Sequence, residues 1–139
     1  MTSGTGCPTK PRGPERRGES RRHWMEHERE TRPWGGFEVL ADRPDCKVKR
    51  IWVDPGGRLS LQSHRHRSER WVVVAGTARV TIGDAVTDMG PGEVAMIPQG
   101  AKHRLENPGT ALVEIVEVQL GDYFGEDDII RYEDVYGRT

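Results

Sequence analysis

Little in this chain points beyond a reducing, aqueous setting. It has two cysteines, Cys7 and Cys46. Cys7 falls in a Gly-, Pro- and Arg-rich stretch, so a disulfide framework is not what organises the fold. No apolar run approaches the roughly 18–20 residues of a transmembrane helix, and the N-terminus lacks the apolar core of a signal peptide. Charge of one sign is also missing, because the formal net charge is −1 over 139 residues. Residues 1–32 carry eight Lys/Arg against five Asp/Glu, and the remainder thirteen against seventeen. The folded part is therefore mildly acidic, which argues against a nucleic-acid partner. These absences leave one cytoplasmic domain, long enough to build a core without cross-links, with neither a membrane nor a nucleic acid as its partner.

Residues 1–20 contain no Val, Ile, Leu or aromatic residue. They cannot bury enough apolar surface to offset the entropy of ordering, so disorder is expected. Ser20 to Thr31 has the pattern of a short helix capped by Ser20. Residues 1–31 are thus read as a disordered or partly helical tail, and 32–139 as the folded domain. His23 and His27 stand four apart, but no third ligand lies nearby, and they read as exposed. From residue 32 onward, short β-branched and aromatic runs are broken by Gly and Pro turns. The expected strands are Phe37 to Ala41, Cys46 to Asp54, the Trp71-Val-Val-Val74 run, Thr77 to Ile82, Val86 to Met89, Glu93 to Pro98 and Ala111 to Leu120. No helical periodicity follows residue 32, which predicts an all-β jelly-roll barrel.

Within Gly56 to Gly76, GGRLSLQSHRHRSERWVVVAG, the residues Gln62, His64 and His66 occupy alternate positions, and in a strand these share one face. Three polar donors on one face of a β-prone run point to a metal site rather than a core. A second stretch, Gly92 to Asn107, ends a strand at Pro98 and Gly100 and offers His103. Its spacing, G-x5-P-x-G-x2-H-x3-N, resembles the second cupin motif at every fixed position. The first cupin motif fits with Gln62 in place of its first histidine: Gly56-x5-Gln62-x-His64-x4-Glu69-x6-Gly76. The register that places the pair on His64 and His66 leaves too few residues before Glu69. The cupin resemblance therefore implies a double-stranded β-helix whose metal ligands are Gln62, His64, Glu69 and His103. In that register His66 is a same-face neighbour, open to being a fifth ligand, a group behind the ligands or a substrate contact.

The phrases RPWGGFEVL, VKRIWVDPGGRLSLQSHRHRSERWVVVAGTA, IPQGAKHRLENP and IVEVQLGDYFGEDDIIRYEDVYGR resemble the type II mannose-6-phosphate isomerase domain, over about residues 32–138. In bifunctional enzymes that domain follows a GDP-mannose pyrophosphorylase half. Only about thirty residues precede the barrel here, so a domain standing alone, without pyrophosphorylase activity, is expected. The resemblance implies interconversion of mannose 6-phosphate and fructose 6-phosphate through an enediol(ate), assisted by a divalent metal. Two imidazoles, one carboxylate and one amide suit Zn2+ and are also compatible with Mn2+, Fe2+, Co2+ or Ni2+.

A proton must move between carbons, and the candidate bases are Glu117 and His66. Alternation along the last long strand puts Val113, Ile115, Glu117 and Gln119 on one face; that face lines the barrel interior or, on an edge strand, leaves Glu117 in water. The candidate phosphate-binding cations are Lys49, Lys102, Arg104 and Arg131. Alternation turns Lys102 and Arg104 away from the face of His103, and Arg65 and Arg67 away from the ligands. The acidic, aromatic C-terminal segment is expected to close over the barrel. The cupin resemblance also implies a homodimer, which would cover exposed sheet edges. Two other readings compete. One is a non-catalytic module that binds a sugar phosphate or sugar nucleotide, or serves a separate pyrophosphorylase. The other is a different metal cupin such as an iron dioxygenase, against which Gln62 argues.

Overall fold

The computed structural model describes residues 29–134 and 136. Among them every regular element is a strand: β1 Arg29–Arg32, β2 Gly35–Asp42, β3 Cys46–Val53, β4 Leu61–Ser63, β5 Arg67–Ala75, β6 Ala78–Ile82, β7 Ala85–Met89, β8 Val94–Ile97, β9 His103–Glu106, β10 Val113–Gly121 and β11 Ile130–Glu133. They form two antiparallel sheets, a six-stranded one in the order β1-β2-β3-β10-β5-β8 and a five-stranded one in the order β11-β4-β9-β6-β7. This is the expected all-β barrel. Among the described residues no helix is long and apolar enough to cross a membrane.

Alternation in the long strands explains both the core and the site. Along β10, Val113, Ile115, Glu117 and Gln119 are buried while the residues between them are not. Along β5 the buried set is Arg67, Glu69, Trp71 and Val73. On β3 it is Lys49, Ile51 and Val53. Each inner face therefore runs from apolar at one end to polar at the other. The apolar ends, with Val80, Ala95, Ile97 and Leu105, make one core. The polar ends converge at the other end of the barrel. Pairing aligns them: Glu117 stands opposite Lys49 on one side and Trp71 on the other, and Gln119 stands opposite Glu69. On the second sheet Gln62 pairs with His103.

The fixed glycines and asparagine of the two motifs hold this frame. Gly76 turns the chain with φ of +76°, and a Cβ there would collide with the Leu112 carbonyl. Asn107 is buried, donating to the carbonyls of Val53 and Ala111 at 2.8 Å each and accepting from the Gly109 amide at 3.0 Å. Its side chain replaces ladder partners that the loop would otherwise leave unpaired.

One expectation is corrected. Arg29 to Thr31, read as the end of a helical tail, belong to β1, which pairs with β2 from Arg29↔Glu38 to Arg32↔Gly35. Without β1 the edge of β2 would leave its amides and carbonyls unpaired, and Arg29 Nε adds an ion pair to Glu38 at 3.1 Å. That pairing outweighs a weak helical preference. The expected disorder of residues 1–20, the Ser20 cap, the His23/His27 pair and Cys7 lie outside the described residues.

Candidate metal centre

His64, Glu69 and His103 come together at the polar end of the barrel, with one ligand atom from each lying within 4.8 Å of the others. All three are buried. They arrive from three elements: His64 follows β4, Glu69 lies on β5 and His103 opens β9. Both imidazoles are oriented by main-chain carbonyls. His64 Nδ1 donates to the Asp128 carbonyl at 2.8 Å, and His103 Nδ1 donates to the Ala101 carbonyl at 3.0 Å. Each Nε2 then carries the free lone pair and points inward, an arrangement typical of metal-ligating histidines. His64 Nε2 is 3.1 Å from Glu69 Oε2, and His103 Nε2 is 3.8 Å from Glu69 Oε1. His103 Nε2 is buried without a hydrogen-bond partner. A buried acceptor left unpaired beside a carboxylate is what a cation would satisfy, so the donor set fits a divalent ion.

Burial by itself would push the Glu69 carboxyl up. Its contacts with His64, His103 and Arg67 outweigh it and hold this carboxyl well below the usual carboxylate range. Trp71 Nε1 donates to Glu69 Oε1 at 3.0 Å, fixing the carboxylate further. His103 is pushed down by burial, against the opposing charge of Glu69. The Glu117 carboxyl moves the other way. Burial, reinforced by the Glu69 charge and only partly offset by Lys49, raises it to about 8. Two carboxylates side by side thus divide into one ionised donor and one proton carrier.

An open cavity of about 630 Å³, mouth included, leads to these groups; its walls include Gln62, His64, Arg67, Glu69 and Glu117, together with Lys49, Glu126, Arg131, Arg32 and Trp34. Of the four candidate cations, Lys49 and Arg131 line it. Lys49 is buried, bonds Glu126 at 3.1 Å and lies 4.3 Å from the centre of the Phe37 ring. Arg131 Nε is buried without a hydrogen-bond partner. Lys102 and Arg104 do not line it. Lys102 is exposed and sits 4.2 Å from the Tyr132 ring centre. Arg104 is buried elsewhere, donating to the carbonyls of Leu59 at 2.9 Å and Glu133 at 3.1 Å. Both point away from His103, as strand alternation requires, and no loop bend reverses it.

His66 is corrected as a candidate base or ligand. β4 ends at Ser63, and Arg65 and His66 form a bend in which the amide of each is held by the Asp128 carboxylate, at 3.1 and 2.9 Å. The bend breaks the alternation, and the His66 side chain is 55% exposed and 3.8 Å from Asp122. Arg67 is corrected in the opposite sense: it faces the ligands. Two-residue counting back from Glu69 along β5, rather than forward from His64, would have found it. The expected closure by the C-terminal segment is seen in Glu126, Asp128 and Ile129, which contact or line the cavity wall. Trp34, whose buried Nε1 has no partner, and Arg32 complete a rim that strand patterning alone did not reveal.

The family model described as "Mannose-6-phosphate isomerase C-terminal" matches residues 19–134. The chain belongs to this family. It is 50% identical over 122 residues to the xanthan biosynthesis protein XanB of Xanthomonas campestris pv. campestris, which covers 88% of this chain and 26% of that protein. It is also 50% identical over 113 residues to the mannose-1-phosphate guanylyltransferase ManC of Salmonella typhimurium, covering 81% and 24% respectively. The chain thus spans about a quarter of the length of these curated relatives. Among solved structures, a double-stranded β-helix protein from Klebsiella pneumoniae superimposes with a TM-score of 0.67 at 23% identity, covering 79% of this chain and 88% of that one. That likeness establishes the fold as a cupin-type barrel.

Proposed function

We propose that this domain is a metal-dependent aldose–ketose isomerase that interconverts mannose 6-phosphate and fructose 6-phosphate. The observation that carries the reading is a convergent His64–Glu69–His103 donor set beside a buried, protonatable Glu117, with His64, Glu69 and Glu117 lining one open cavity. Gln62, across the sheet from His103, is the fourth ligand, and zinc suits the set. A bound divalent ion supplies Lewis-acid polarisation of the substrate carbonyl and compensates the negative charge that develops there.

The remaining chemistry belongs to the protein. Glu117 takes the proton from C2 of the open-chain aldose and returns it to C1, while a second proton passes between the two oxygens. A carboxyl poised near neutral pH is suited to accepting and returning one proton in each turnover. Gln119 donates to Glu117 and fixes its orientation. Lys49, directly opposite Glu117, favours the ionised form that accepts the proton. Arg131 and Lys49 are the cations for the phosphate, and Trp34 Nε1 is a further donor at the same rim.

The quarter-length match to larger relatives, one named a guanylyltransferase, favours a second reading: a sugar-phosphate-binding module that serves a separate nucleotidyltransferase. A coupled assay for fructose 6-phosphate from mannose 6-phosphate, on protein of known metal content, separates the two. Turnover abolished by chelator and restored by zinc supports the isomerase. Stoichiometric bound metal with substrate binding but no turnover supports the module.

A further inference from the structure

We propose that Arg67 is an internal cation that competes with a divalent ion for the His64 and Glu69 donors, and so sets the affinity of the centre. This rests on the metal-binding reading above and is independent of turnover. Arg67 is 6% exposed and shares the inner face of β5 with Glu69. Its Nε donates to Glu69 Oε2 at 2.9 Å, and its Nη2 lies 3.2 Å from His64 Nε2. Because His64 Nδ1 is already the donor to Asp128, Nε2 is the acceptor nitrogen. A neutral imidazole has one such lone pair. It can face a guanidinium N–H or a metal ion, but not both.

Electrostatics points the same way. An ion shared by His64, Glu69 and His103 would lie among atoms within 4.8 Å of one another. His64 Nε2 and Glu69 Oε2, from two of those residues, are both in hydrogen-bond contact with the Arg67 guanidinium. Two cations so close, in a buried setting, repel strongly. Ion binding therefore moves Arg67 off His64 into the cavity it already lines. There the displaced guanidinium faces the anionic oxygens of a bound sugar phosphate. Metal loading and anion binding become coupled through one side chain, with metal favouring the arrangement that receives the anion.

The test is the affinity of the full chain for Zn2+, measured by competition with a chromogenic chelator for wild type, Arg67→Met and Arg67→Lys. Removing the competitor should tighten Zn2+ binding by Arg67→Met about tenfold, with Arg67→Lys in between. Equal or weaker binding by Arg67→Met overturns the proposal, since that is what a residue that merely orients Glu69 would give. Absence of Zn2+ binding by every variant also overturns it. Should Arg67→Met fail to fold, a crystal structure of wild type with Zn2+ decides. Arg67 Nη2 beyond hydrogen-bond reach of His64 Nε2 supports the proposal, and a retained 3.2 Å contact beside a bound ion contradicts it. Tightened binding by Arg67→Met, together with no isomerase turnover by zinc-loaded wild type, would refute the isomerase reading and leave this one standing.

Discussion

Asp128 holds both His64 and the two residues that follow it. The His64 Nδ1 donates to the Asp128 carbonyl at 2.8 Å, while the Asp128 carboxylate holds the amides of Arg65 and His66 at 3.1 and 2.9 Å. A residue in the C-terminal segment thus fixes both the tautomer of a candidate ligand and the bend that follows it. Asp128→Ala should free the two amides and loosen the bend. Metal affinity is expected to fall about tenfold, and the folded state to lose about 1–2 kcal/mol. Chelator competition and urea denaturation read the two effects separately.

Glu117 gives the metal-stripped protein a pH dependence of definite sign. Its folded-state value, about 8, lies above the 4.5 of an ordinary glutamate. Between these values the folded state binds more protons than the unfolded chain, so stability falls as pH rises. His103 opposes this only below about pH 6.5, because its imidazole is pushed down from that value. Between about pH 7 and 8, therefore, the stripped protein should become less stable, and Glu117→Gln should flatten the slope. Urea midpoints at several pH values check it; an unchanged slope in Glu117→Gln would remove Glu117 as the titrating group.

The four candidate cations should separate into different phenotypes. Arg131→Met, which removes a cavity-lining guanidinium, should raise KM for the sugar phosphate about tenfold or more with a smaller effect on kcat. Lys102→Met should leave both unchanged, because its ammonium rests against Tyr132 away from the cavity. Arg104→Met leaves two carbonyls without their donor and should cost about 1–3 kcal/mol of stability. Steady-state kinetics and denaturation on the three variants distinguish these roles.

The candidate site was legible in the sequence where a strand continues, and illegible where the chain bends. Motif spacing pointed to His64, Glu69 and His103, which the structure brings together, and alternation along β10 put Glu117 and Gln119 inside, because an unbroken strand preserves its facing over nine residues. The same rule failed between His64 and Arg67. There the chain leaves β4 for a bend, so parity restarts at β5, which turns His66 out and Arg67 in. Arg32 and Trp34 were out of reach for a different cause: they enter the cavity wall through β1 and the turn after it, and β1 forms only because β2 offers an edge. Lys49 was legible by its chemistry, but its partner Glu126 depends on a loop whose path no local pattern sets.

The most direct measurement is to incubate the zinc-loaded chain with mannose 6-phosphate in D2O and follow both the sugar composition and deuterium at C1 and C2 by NMR. The account predicts interconversion with fructose 6-phosphate and deuterium entering at C1 or C2. Both should be lost on chelation and lowered about 10²–10⁴-fold in Glu117→Gln. Neither interconversion nor deuterium incorporation from a protein carrying one bound metal per chain would contradict it.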